Sequence, residues 1–136
     1  MTTDAALVRD SYTHVKPVAD AAGMLLCERL LAVSPDLRKL FGDNLAERRG
    51  ALMAGIEVVI SHLNDPAGLA TILARFSGWL ARRGVSDAHY DRFGEALVWT
   101  MSHALGHRFT PEVKKAWRTV FEQIAGQMRR QTRAAA

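Results

Sequence analysis

Cysteine is nearly absent. The one thiol, Cys27, has no second cysteine in the chain to pair with, whereas small secreted domains that lean on disulfides carry several. The N-terminal stretch MTTDAALVRDSY lacks the apolar run of a signal peptide. The reducing cytoplasm is therefore the expected compartment. No apolar stretch approaches the roughly 18 residues needed to cross a bilayer, so no membrane role is expected. Alternating apolar and polar runs, the mark of half-buried strands, are missing too. So are paired carboxylates in an apolar setting, a nucleophile beside a base, and a glycine-rich phosphate loop. Catalysis by this chain alone is not expected.

What remains is 136 residues, 49% of them hydrophobic, enough for one domain over 1–136 with a substantial core. The net charge is +4, and basic residues come in pairs at Arg48-Arg49, Arg82-Arg83, Lys114-Lys115 and Arg129-Arg130. A nucleic-acid surface would need those pairs on one face with aromatics between them. Nothing in their spacing gathers them, so solvated helix faces are the simpler account and a nucleic-acid partner is not expected.

Apolar positions at helical spacing recur in almost every segment, and the chain reads as all-α. A first amphipathic helix is expected over about Asp4 to Val15. Lys16-Pro17 ends or bends it, because proline has no backbone donor and crowds the preceding turn. The next carries Val18, Ala22, Leu25, Leu26, Leu30 and Val33 on one side. Ser34-Pro35 then opens a short helix, PDLRKLF, with serine as N-cap and proline at the first helical position; it ends at Gly42. Asn44 and Glu47 have capping-box spacing and introduce a long helix bearing Leu45, Leu52, Ile56, Val59, Ile60 and Leu63. Asn64-Asp65-Pro66 closes it and caps the following one. There Leu69, Ile72, Leu73, Phe76 and Leu80 form a stripe that runs up to the Gly84-Val85 break. Two regular helices finish the chain. One bears Tyr90, Phe93, Gly94, Leu97, Val98, Met101, Ala104 and Leu105. The other restarts at Thr110-Pro111 with Val113, Trp117, Val120, Phe121, Ile124, Ala125 and Met128, and the two should pack antiparallel.

The order of these pieces, and the stretches CERLLAVSPDLRKLF at 27–41, GVSDAHYDRFGEAL at 84–97 and FTPEVKKAWRTVFEQIAG at 109–126, resemble the globins. The likeness is to the single-domain bacterial haemoglobins and the haem domain of flavohaemoglobins, and it runs over nearly the whole chain. It implies an all-α globin fold of helices A, B, C, E, F, G and H. By this resemblance Phe41 is the phenylalanine that wedges haem after the third helix, and Phe76 and Phe93 line the same pocket. The family's proximal histidine, the iron ligand, lies ten residues before an aromatic that opens the G helix. Counting back ten from Tyr90 reaches Leu80, with Gly84-Val85 in register between them. On the distal side, the position often filled by tyrosine is Cys27, the one usually holding glutamine or histidine is Arg48, and Leu52 fits the apolar distal contact. Thr132 is the nearest equivalent of a late H-helix glutamate that supports the proximal histidine through the tyrosine.

Leucine has no lone pair to give iron. The expectation is thus a globin fold without standard haem ligation and without a cofactor, acting as a haem-free ligand-binding, regulatory or interaction module. The alternative is a haem b protein that binds O2 or NO through a non-standard axial ligand, with Cys27 the first candidate and His89 the second. His89 is turned about 100° from Tyr90 around the helix, toward solvent, and His14, His62, His103 and His107 are expected on exposed faces or helix ends. In an iron-free pocket Arg48 would pair with a carboxylate or phosphate, making the cavity a site for a small apolar or anionic ligand. Trp79, just off the apolar stripe, offers a surface for a homodimer or a protein partner. Nitric oxide dioxygenation in flavohaemoglobins depends on an attached reductase domain, and the chain ends after the globin part, so no enzyme is expected.

Overall fold

The computed structural model describes residues 3–41 and 48–135, apart from the side chains of 41, 134 and 135. Over these residues the chain is helical, with α1 at Asp4–Val15, α2 at Ala19–Val33, α3 at Leu37–Phe41, α4 at Arg49–Ser61, α5 at Pro66–Arg82, α6 at Asp87–Leu105 and α7 at Pro111–Ala135. The result among the described residues is an all-α arrangement in the helix order expected from the sequence.

Most boundaries follow from local chemistry. Thr3 caps α1 by accepting from the Ala6 amide at 3.1 Å. Lys16-Pro17 produces a single 3-10 turn, Lys16–Val18, before the chain resumes as α2. Val18 falls in that turn and is exposed, not on the apolar face of α2 as its spacing suggests. Asp65 caps α5 by accepting from the Gly68 amide at 3.1 Å, and Pro66 takes the first helical position. Thr110 does the same for α7, with Val113 as donor at 3.2 Å. Ser34 departs from expectation. Its hydroxyl donates to Asp36 Oδ1 at 2.6 Å, residues 34–36 form a turn, and α3 starts only at Leu37. The expected helix end at Gly42, the Asn44–Glu47 capping box and Leu45 lie outside the described residues.

Two apolar clusters fill the interior. The larger joins α1, α2, α4, α6 and α7 through Val8, Tyr12, Leu26, Leu30, Met53, Leu97, Met101 and Trp117. The smaller lies between α5, α6 and α7 and contains Leu73, Tyr90, Ala125 and Met128. Phe121 and Ile124 of α7 pack against both. Helices α6 and α7 run antiparallel, since Arg129 near the end of α7 bonds Asp91 near the start of α6 at 2.6 Å. Helices α2 and α4 meet at Gly23, where a Cβ would stand 2.9 Å from Met53 Cγ.

Candidate functional site

The apolar stripe of α5 faces inward as its period requires. Leu73 is fully buried, and Phe76 and Leu80 lean on the smaller cluster together with Tyr90 and Val85. Leu80 occupies the last turn of α5, where its carbonyl accepts the amides of Arg83 and Val85, both at 3.1 Å. Gly84 makes that corner possible with φ +87°, a conformation that disfavours side chains. Phe76 reaches toward α4, for a Cβ on Gly55 would lie 3.7 Å from its Cζ. Leu52 on α4 and Phe93 on α6 pack against the neighbouring larger cluster. Phe93 also stacks on Phe121 at 6.0 Å.

Tyr90 is 7% exposed. Burial pushes its phenol up, while the Thr132 hydroxyl and the Arg129 charge pull the other way. The Arg129 guanidinium lies 5.5 Å over the ring. Thr132 Oγ1 is itself buried beside the phenol without a hydrogen bond of good geometry. Thr132 therefore stands next to Tyr90.

Cys27 is 2% exposed on α2. Burial raises its thiol above the usual range, an effect that the nearby Arg49 partly offsets. Arg48 is half-buried at the N-cap of α4. Phe41 ends α3, and its side chain lies outside the described residues.

His89, expected toward solvent, is instead tucked under the start of α3 with its side chain 10% exposed. Its Nδ1 accepts from the Ser86 amide at 2.9 Å and meets Ser86 Oγ at 3.0 Å. Its Nε2 bonds Asp36 Oδ2 at 2.6 Å. Both ring nitrogens therefore have hydrogen-bond partners, Ser86 on one side and Asp36 on the other. The reason is invisible in a helical wheel: Asp36 sits in the turn before α3, far off in sequence, and holds the ring from there. His62 is half-buried at the C-cap of α4, with Nδ1 donating to Val58 O at 2.8 Å. His103 donates to Trp99 O at 2.9 Å, His14 lies near Arg108, and His107 is exposed. Among the described residues no three His, Cys, Asp or Glu side chains form a metal-holding group. Trp79 is 39% exposed, with the Arg83 guanidinium 4.2 Å over its ring. No described helix is long and apolar enough to cross a membrane.

A family model described as Globin matches residues 25–128. A flavohemoprotein of Bordetella pertussis is 28% identical over 123 residues, covering 88% of this chain and 31% of that protein. The chain thus spans about a third of the length of the flavohemoproteins it matches. A neuroglobin of Danio rerio is 26% identical over 141 residues, covering 93% of this chain and 89% of that one. The crystal structure of a hexacoordinated heme protein from an anhydrobiotic tardigrade, at pH 4, superposes with a TM-score of 0.86 at 16% identity, over 96% and 93% of the two chains. At that identity the superposition shows the fold alone. These matches overturn the expectation of a chain with no cofactor, because the matching family and its relatives, the flavohemoproteins named for haem among them, point to haem binding. The reading as a haem-free module loses its support with it.

Proposed function

The chain belongs to the globin family, and on that premise we propose that it is a haem protein binding a diatomic gas, O2 or NO, through an axial ligand other than the family's histidine. The observation that carries the unusual ligation is the place of Leu80. It closes the inner face of α5 beside Tyr90, at the position read as that of the proximal histidine, and all five histidines are engaged or exposed elsewhere. The flavohemoproteins among the relatives favour the bacterial branch of the family.

The residues present suit a porphyrin in character. Phe76, Leu80 and Tyr90 offer an apolar wall, Leu52 and Phe93 extend it, and such a lining excludes water from a buried ring. When bound, haem supplies an iron atom to which a diatomic gas can add. Cys27 is the donor this chain would give the iron, since sulfur is an established ligand type and the Arg49 charge favours the thiolate that burial opposes. We place this activity in the cytoplasm, with Trp79 available to a second copy or a protein partner.

The test is an absorption spectrum of protein from cells supplied with haem precursor, with a haemin titration alongside. A stoichiometric Soret band that shifts with carbon monoxide is expected, and Cys27→Ala should displace or abolish it. Absence of the band together with no saturable haemin binding would overturn the reading.

A further inference from the structure

The inner face of α5 lines the pocket, and its outer face carries a charge pattern of its own. Between Asp65 and Asp87 the chain has three arginines, Arg75, Arg82 and Arg83, and no acidic residue. Trp79, Arg82 and Arg83 follow Arg75 at four, seven and eight positions, so the four share one side of the helix. Arg75 and Arg82 are exposed, and among the described residues neither meets a carboxylate. Trp79 stands between them, 39% exposed, and it is the one large apolar side chain of α5 turned outward to that degree. The Arg83 guanidinium, 4.2 Å over the ring, steadies the indole in the position it presents. An ordered tryptophan flanked by arginines has the make-up of a protein-binding hot spot, where Trp and Arg are enriched and Lys is depleted. Helix α5 contains no lysine.

We propose that this face docks an acidic segment of another protein. The segment presents carboxylates about 10 Å apart to Arg75 and Arg82, the rise over two helical turns, with an apolar residue between them for Trp79. Charge complementarity selects this occupant over the others. A second copy docked symmetrically would bring the same arginines against one another. A bilayer takes up the apolar face of a helix, and that face of α5, with Leu73, Phe76 and Leu80, is turned into the core. A nucleic-acid strand carries charge at every step and rewards a continuous cationic track, whereas here the charges flank a single aromatic. The proposal names the partner left open above for Trp79 and does not depend on haem. Because Phe76 and Leu80 lie on the opposite side of the same helix, a docked segment would hold the element that walls the pocket.

The experiment titrates the full chain at low salt into a fluorescein-labelled helical peptide with glutamates two turns apart and leucine midway, read by fluorescence anisotropy. Saturable binding that weakens as salt rises is expected. A peptide with glutamine for glutamate, or serine for the leucine, should bind at least about tenfold more weakly. Arg75→Glu combined with Arg82→Glu should weaken binding at least about tenfold, and Trp79→Ala by a similar factor. Lys114→Glu combined with Lys115→Glu makes the same change in net charge at exposed positions of α7, and should alter binding less than about twofold. Circular dichroism checks that each variant stays helical, and the milder pair Arg75→Gln with Arg82→Gln should act in the same direction as the glutamates. No saturable binding, or equal weakening by the α5 and α7 charge pairs, would overturn the proposal. So would tighter binding of phosphatidylglycerol vesicles or a single-stranded oligonucleotide than of the peptide. None of these outcomes bears on gas binding, which the Soret band reads separately.

Discussion

Gly94 of α6 lies so close to Phe121 of α7 that a Cβ there would stand 2.5 Å from the ring's Cε2 and 2.9 Å from its Cδ2. The ring has little room to retreat, since it stacks on Phe93 and joins the two apolar clusters. Gly94→Ala should therefore destabilise the fold by about 1–3 kcal/mol despite the helix propensity that alanine adds. Urea unfolding checks it: a lower midpoint with unchanged slope is expected.

Leu80→His should raise haemin affinity about tenfold or more, since it places an imidazole on the wall that carries Tyr90 and Phe76. Without haem the same substitution leaves a polar ring among apolar neighbours and should cost about 1–3 kcal/mol. Haemin should restore that loss, because a ligand of the folded state raises its melting temperature by mass action. Parallel melting curves with and without haemin separate the two effects. An unchanged haemin affinity would place Leu80 away from the iron.

The contrast between Leu80 and His89 marks what could be read from the residues alone. The stripe from Leu69 to Leu80 and the first-helix bounds at Asp4 and Val15 followed from period and caps, and they stand in the structure. Both are local: each depends on residues within a few positions of one another. The fate of His89 depends on Asp36, which is far off in sequence and reaches it only once α3 and α6 have packed. The same holds for Ser86, which reads as a corner residue until the imidazole behind it is tied to a carboxylate. Gly23 carries no periodic signal, and Gly94 falls on the apolar face of α6 without showing what it meets, yet each marks where two helices approach too closely for a side chain. Val18 misled because its spacing suits α2 while Pro17 had already turned the chain.

Asp36 should give the protein a specific acid sensitivity. Its donors, Ser34 first and His89 next, hold its carboxyl at about 2 against an ordinary value of 3.8. A carboxyl depressed on folding contributes stability that is complete above the unfolded value and lost as pH falls toward the folded one. The advantage of wild type over Asp36→Asn in melting temperature should thus be full at about pH 5 and shrink toward about pH 2. A difference that stays constant across that range would mean that the carboxylate charge contributes nothing.

Trp117 and Ser11 supply the last test, one confined to the core. The indole Nε1–H donates to Ser11 Oγ at 2.9 Å, joining α7 to α1 across a buried contact. Ser11 in turn donates to Val8 O at 3.0 Å, so its hydroxyl is fixed as acceptor for the indole. Ser11→Ala removes that acceptor and leaves a donor unpaired away from water, which should cost about 1–3 kcal/mol. Replacing both partners tells the hydrogen bond from the packing. In Trp117→Phe the loss comes mostly from volume, so adding Ser11→Ala to it should cost much less than Ser11→Ala alone. Unfolding free energies for the two single variants and the double variant complete the cycle. Strict additivity would show that the pair does not interact, and that Trp117 holds α7 to α1 by packing alone.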